Sequence, residues 1–374
     1  PADVVVVAID KASASALNLP LSTHRWPRRL HARLIDALAD RQAAVVAFDL
    51  FFQDPQDPDD DLALANAMRG AGNVVLTQAI DRQTVPLTDR SGGRQARATI
   101  ERVISAMPTI ADAAVAQAPF PLPKVPVKLN QFWCFRPESG NLPTLPVVTL
   151  HLYAKDVFLD FLHLLDAVGA HLSDTLFHPI QDELDVRTMI SLIRPLRMRF
   201  EENETLASKA LERLEQYSPA EMDFRTRRLL GALVKLYGSG NSRYLNLYGP
   251  PGTIRTISYH HLLNPSASPA PSENIVKGNL VFFVGQTGSN WIKSHDDFYT
   301  VFSSASGENI SGVEIAASAF SNLLEDKGVY PLGPVSRLFL LLGWGIPIVA
   351  VSLFFPATIS AAGLLLLSGI YFFV

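Results

Sequence analysis

Residues 338–374 contain no Asp, Glu, Lys or Arg. That uncharged run of 37 residues constrains the chain more than any other feature. As one helix it would extend about 55 Å, too long for a simple crossing of a hydrocarbon layer about 30 Å thick. Pro356 divides it into Leu338–Phe355 and Ala357–Val374, 18 residues each, about the minimum for a span. The expectation is two transmembrane helices joined by a tight turn, the second truncated at Val374. Gly343, Gly345, Gly363 and Gly369 suit close helix contact in lipid, and Pro347 offers a kink in the first span. A pair of buried core helices is the competing reading, and the lack of charge in both halves argues against it.

Residues 1–337 read as a water-soluble α/β body. Val4–Ile9 is a continuous apolar run, the pattern of a strand buried on both faces. Pro27–Asp40 reads as a helix, with Leu30, Leu34 and Leu38 as its stripe. Ala44–Phe48 is a second buried strand, Leu62–Arg69 a short helix ended by Gly70, and Asn73–Thr77 a third strand. Strands alternating with helices imply a mostly parallel sheet with helices packed on it. Residues 78–120 read as polar and then helical. Lys128–Phe135 reads as a strand, and 155–236 as a helical insertion with faces Leu206, Ala210, Leu214, Tyr217 and Leu229, Leu233, Leu236. A Pro/Ser-rich loop follows at 264–273. Asn279–Gly285 is a further buried strand, and Ser311 with Glu314 reads as a capping box for a helix through Asp326.

The fragment GPPGT at Gly249–Thr253 resembles the start of a phosphate-binding loop. The required spacing puts the second glycine at Ile254 and the lysine at Arg255, so the motif fails. A Pro/Gly turn between strands Tyr244–Tyr248 and Ile254–Tyr259 fits better. The chain is near neutral, with a net charge of −4, which excludes an electrostatic nucleic-acid partner. Its one cysteine, Cys134, allows no intrachain disulfide and no cysteine-rich metal site. HExxH, GxSxG and paired-cysteine patterns are absent from the sequence, so neither a catalytic residue nor a metal or cofactor is assigned. The start at Pro1-Ala2-Asp3, directly before a strand, reads as the end of a trimmed segment.

A few residues could carry a ligand. Asp10 and Asp49 stand at the C-terminal ends of the first two strands, the edge that lines the ligand crevice of a parallel α/β sheet. They either hold a cation or a ligand amine there, or cap a helix and satisfy loop amides. Arg28 sits in a helical N-terminal turn, where the macrodipole disfavours a cation, so an acidic partner is expected, with Asp10 or Asp49 proposed. DPQDPDDD, with Asp54, Asp57, Asp59, Asp60 and Asp61, fails the calcium-loop pattern because Leu62 and Met68 replace its Gly and Glu. It reads as a solvated loop ending in a helix cap. His295-Asp296-Asp297 and His260-His261 lack metal-ligand spacing.

The segments VVVVAID, RWPRRLHARLIDALADRQAAVVAFDLFF, LALANAMRGAGNVVL, LNLYGPPGTIRTISYHHLL, NLVFFVGQTG and GVEIAASAFSNLL occur in that order. Together they resemble a sensor domain of the CHASE type, second family, over roughly residues 3–120 and 240–335. The resemblance implies an extracytoplasmic input module of a bacterial inner-membrane receptor, with 1–337 as the sensor and 338–374 as the start of the membrane bundle. It also implies a cytoplasmic output domain, first an adenylate or guanylate cyclase and otherwise a serine/threonine or histidine kinase. The partners it implies are a small-molecule or protein stimulus, membrane lipid and a second copy of the chain. SHDDFYTVF keeps Asp297, Phe298 and Thr300 of the family pattern but has Val301 where a proline is usual, and 135–240 replaces a polar strand pair. Asp10, Asp49, Arg28 and Asp297 are the ligand-site expectations. A membrane-anchored scaffold or hydrolase is the reading outside signalling.

Overall fold

A computed structural model describes residues 1–87, 96–122, 128–170, 172, 184–218, 220–264, 279–288, 297–303, 309–329, 332–354, 356, 360–363 and 365–366. The chain forms two compact units, Pro1–Gly328 and Val329–Val374. His295, Asp296, the 264–273 loop apart from Asn264, and most of the second apolar half lie outside the described residues.

The strands of the first unit are β1 (Val4–Ile9), β2 (Val45–Asp49), β3 (Val74–Leu87), β4 (Ala96–Ile104), β5 (Ala116–Pro119), β6 (Gln131–Trp133), β7 (Phe135–Arg136), β8 (Leu142–Pro143), β9 (Ser242–Tyr244), β10 (Thr256–Ser258), β11 (Val281–Gln286), β12 (Asp297–Phe298) and β13 (Ile310–Ser311). The main sheet runs β10-β1-β11-β2-β3, with β5 also on β3. These six strands are mutually parallel, and Val6 stands opposite Phe283, Phe283 opposite Ala47, and Val46 opposite Val74. β1, β11 and β2 have neighbours on both sides, which is why their sequences are unbroken apolar runs.

Alternation along each strand divides the interior into two cores. Val5, Val7, Val46, Phe48, Phe282 and Val284 face one, which helices Arg28–Ala39, Pro58–Ala71 and Tyr259–Leu263 cover. Val4, Val6, Val45, Ala47, Val281 and Phe283 face the other, covered by Leu145–Tyr153 and Gly312–Glu325. Behind these lie helices Phe158–Ala167, Val186–Glu202, Leu206–Gln216 and Phe224–Gly238. Leu206, Ala210, Leu214, Leu229, Leu233 and Leu236 are buried in the same core as Val4. The helical insertion is thus a third layer of the body. Arg197 fastens it: its guanidinium donates to the Tyr237 and Ser239 carbonyls and to Asn241 Oδ1, at 2.7, 2.8 and 2.9 Å.

Four local expectations are corrected. Residues 78–120 are not mainly helical: β3 continues to Leu87 and pairs antiparallel with β4, with Ala79 opposite Ile104. The strand near Tyr244 is Ser242–Tyr244, paired with β6, so it belongs to a different sheet from Thr256–Ser258. Asp60 and Asp61 are buried rather than solvated, while Asp57 caps the helix Pro58–Ala71 through the amides of Asp59 and Asp60. Ser311 makes no side-chain cap bond, and Glu314 reaches instead into the GPPGT turn, accepting from Gly252 N–H at 2.7 Å. Gly252 has φ +81°, a conformation glycine adopts without strain, and the turn closes with Thr253 N–H on the Pro250 carbonyl. The carboxylate that meets these amides is the protein's own, so the turn is an internal anion cradle.

In the second unit, helix Pro334–Phe354 spans 21 residues with mean hydropathy 2.0 and buries none of its side chains. It is the one described helix long and apolar enough to cross a membrane. It starts one turn before Leu338 and takes in Arg337. Past Pro356, Ser360 and its neighbours are again helical, and Ser360 Oγ donates to the Val351 carbonyl at 2.9 Å.

Candidate functional site

The parallel strands finish at a common edge, and each of three ends there in a polar residue after its apolar run: β2 in Asp49, β11 in Gln286, and β3, at the close of its parallel half, in Thr77 and Gln78. These residues line a cleft of about 660 Å³. Thr23, His24 and Trp26 wall it on one side, Phe51 and Phe52 follow Asp49, and Phe120 to Leu122 follow β5. Phe298 of β12 and Gly312, the first residue of the helix beyond β13, complete it.

Beneath the cleft lies an aromatic floor. Trp26 is buried and donates its Nε1–H to the Pro20 carbonyl at 2.8 Å. It meets Tyr259 edge-on at 5.3 Å between centroids, and the Tyr259 hydroxyl lies 3.0 Å from His31 Nδ1. Phe48 and Phe52 present their edges to His31 at 5.9 and 5.7 Å. Burial, and secondarily the charge of Arg28, push the His31 pKa down to about 3, so the ring is neutral at physiological pH.

Arg28 lines the cleft and is only 3 % exposed. Its Nη1 donates to Asp61 Oδ1 at 2.6 Å and its Nη2 to the Asp54 carbonyl at 2.5 Å. Its guanidinium sits 5.5 Å from the Phe52 ring centre. Arg29 makes the neighbouring pair with Asp60, so two adjacent arginines bolt helix Arg28–Ala39 to helix Pro58–Ala71. The acid that offsets the unfavourable position of Arg28 is therefore Asp61, from the run DPDDD. Arg28 Nε–H has no acceptor among the described residues.

The four sequence-derived candidates separate. Asp49 and Arg28 are together in the cleft lining. Asp10 is not in that lining: its Oδ1 accepts Ser13 N–H at 2.7 Å as the cap of Lys11–Ala16, and its Oδ2 accepts the Ser258 hydroxyl at 2.5 Å. For Asp297 only the backbone is described, in β12 opposite Ser311, beside the cleft residue Phe298. Sequence reading missed Gln286, Thr77, Gln78 and Phe51, although their position directly after an apolar strand run was a usable signal. Arg82 could not be found that way, because it stands on the β3–β4 hairpin. Its Nε donates to Glu101 at 3.0 Å while its side chain stays 60 % exposed. Burial opposes ionisation of Glu101, but the hydrogen bonds from Arg136 and Arg82 outweigh it and hold the carboxyl below its usual range.

Two described groups with nucleophilic chemistry serve the fold. Ser13 Oγ lies 3.1 Å from His260 Nδ1, but Ser13 is fully buried, so the pair ties two helices and meets no substrate. Cys134 is buried and its thiol is pushed up to about 11 by burial, far from a reactive thiolate. No group of three His, Cys, Asp or Glu side chains converges as a metal site among the described residues.

The chain thus combines a parallel α/β body, with a crevice at its strand ends, and an exposed apolar helix that follows it in sequence. The family model for the CHASE2 domain matches residues 1–354, and the chain belongs to that family. CHASE2 is an extracellular sensory domain of signalling receptors, and the apolar helix is compatible with a membrane anchor. Comparison with curated proteins and with solved structures returned no match.

Proposed function

We propose that this chain is the input region of a bacterial inner-membrane receptor, and that the cleft at the strand ends is where its stimulus binds. The observation that carries this is the junction of site and anchor along one element. Gly312 lines the cleft, the helix it opens runs to Glu325, and the body ends three residues later at Gly328, before the apolar helix Pro334–Phe354. A stimulus that favours one of two packings of that helix changes the path of the chain toward the membrane. On this reading the body is periplasmic and the apolar tail supplies the first two of three spans, an odd number that delivers the output to the cytoplasm. The output is an adenylate or guanylate cyclase working as a dimer, with a serine/threonine or histidine kinase as the other output to be tested.

The experiment is a compartment map followed by an output assay. Tags at Asp57 and on the output domain that follows the third span, probed in intact and opened cells, should report opposite sides of the membrane. The whole receptor should make cyclic nucleotide in membranes, and Asp49→Ala should change its response to the stimulus. Both tags on the cytoplasmic side, or complete extraction by carbonate, refutes the receptor reading. Phosphotransfer without cyclase activity assigns the kinase output.

A further inference from the structure

Several hydrogen-bond donors around the cleft have no acceptor among the described residues. Arg28 Nε–H is buried without an acceptor among the described residues. Arg82 commits only Nε to Glu101, and Glu101 is already held by the buried Arg136, so the terminal nitrogens of Arg82 remain available. The Gln286 carboxamide lines the cleft at the end of β11 and has no hydrogen-bond partner among the described residues. His31 uses Nδ1 on Tyr259. Among the described residues of the lining, Asp49 is the only acid against two arginines. The opposite character is also present. Phe51 is 55 % exposed at the cleft, an unusual position for a large aromatic side chain, and Ile80, Phe120, Leu122 and Phe298 share the lining with it.

A cavity of this size suits a drug-sized organic molecule rather than a bare ion. Unused donors select an oxyanion, because a guanidinium–carboxylate contact is among the strongest hydrogen-bonded pairs and leaves the donors satisfied. Both lining arginines are already paired, Arg28 with Asp61 and Arg82 with Glu101, so the cleft offers unused N–H groups rather than net charge; that suits a monoanion, whereas a phosphate monoester would carry more charge than the site offsets and would face Asp49 as well. Resting on the reading of this cleft as the input site, we infer that its ligand is a small organic monocarboxylate bearing an aromatic or branched apolar group. The carboxylate takes the Arg82 and Gln286 donors, and the apolar group lies against Phe51 and Phe120. A hydroxyl or ammonium elsewhere on the molecule meets Asp49.

The test uses the full chain in lipid nanodiscs and a set of matched probes at millimolar concentration: phenylacetate, phenyllactate, phenylalanine, leucine and 2-ketoisocaproate, their primary amides, the corresponding amines, and neutral sugars. Thermal shift finds binders and titration calorimetry ranks them. The expected result is that at least one carboxylate raises the melting temperature, that its amide binds at least about tenfold more weakly, and that Arg82→Gln weakens the acid by about tenfold while leaving the amide unchanged. Arg82→Gln should fold, since Glu101 keeps Arg136, and its unliganded melting temperature checks this. Equal binding of acid and amide, binding confined to amines or sugars, or no binding by any carboxylate overturns the inference. Ala79→Trp, which fills the cleft, separates that failure from failure of the input reading. If it abolishes the whole receptor's response although no carboxylate binds, only the ligand class falls. If the receptor still responds as wild type, the cleft is not the input site and both readings fall.

Discussion

Acidification should destabilise the body through two histidines that the fold keeps neutral. Burial and the charge of Arg28 push His31 down to about 3. Burial pushes His151 down to about 4, against the opposing pull of the Val147 carbonyl. Unfolded, each titrates near 6.5, so on acidification the unfolded chain takes up these protons first. Stability is therefore whole above pH 6.5 and falls below it, until His151 and then His31 protonate in the folded state near pH 4 and 3. Between pH 7 and pH 5 each histidine removes about 2 kcal/mol, about 4 kcal/mol together, against a typical total of about 5–15 kcal/mol. Urea unfolding of the chain in nanodiscs at pH 7, 6 and 5 measures this. The limiting slope should approach about 1.4 kcal/mol per pH unit for each histidine, and His31→Gln or His151→Gln should each reduce it by about half whatever they do to stability at pH 7. A wild-type stability that stays flat between pH 7 and 5, or a slope that neither substitution changes, would refute the reasoning.

Three further outcomes follow from particular contacts. Arg28→Met strands the buried Asp61 and should cost about 3–5 kcal/mol, and adding Asp61→Leu should restore most of it, read from urea midpoints. Glu314→Ala leaves the Gly252 amide without its acceptor and should cost about 1.5–3 kcal/mol, while Glu314→Gln keeps an acceptor and should cost little. Because burial raises the Glu314 pKa, the wild type holds its extra stability at low pH and loses it as pH rises through that value, so Glu314→Gln should gain on the wild type as pH rises. At Gly238 an added Cβ would sit 2.4 Å from the Ala207 Cβ, so Gly238→Ala should cost about 1–3 kcal/mol, and Ala207→Gly in the same chain should relieve it, measured by melting temperature.

The sheet was legible because its strands are buried on both faces. VVVVAI, VVAFD and VFFVGQ could hardly be anything else, and their assigned ends fall within two residues of the observed ones. The β3–β4 hairpin was hidden for the opposite reason: its residues run IDRQTVPL against ARATIERVI, rich in polar side chains and without an apolar alternation to count. Cap chemistry was ambiguous at the level of sequence. Ser-x-x-Glu at Ser311–Glu314 satisfies the capping-box pattern, yet the carboxylate finds the amides of a turn 62 residues earlier, a choice only tertiary contact could make. The same holds for DPDDD, where one acid caps and two reach across to arginines on another helix. Half of the cleft was accessible from the rule that parallel strands end at the ligand edge, which gave Asp49. Arg82 and Phe298 arrive from elements that no local pattern places there.

Helix Gly312–Glu325 is where the fold limits how a bound ligand could be felt. All of its residues except Glu325 are buried, including Glu314, Ser318 and Asn322. Glu314 holds the GPPGT turn, and Asn322 exchanges two hydrogen bonds with the Asn246 backbone, at 2.8 and 3.0 Å. A helix enclosed on every side cannot roll without repacking the core, because close-packed interiors have discrete arrangements and little compliance. Gly285 makes this stricter: an added Cβ there would meet Val313 at 2.7 Å, so strand β11 and the helix are already in close backbone approach. The displacement left to such a helix is one along its axis, carried over about 21 Å from the cleft end to the end nearest Gly328. On the proposed input reading, then, the two lateral ties at Glu314 and Asn322 resist the transition, and the ligand's contribution is the difference in contact that the cleft end makes before and after the shift.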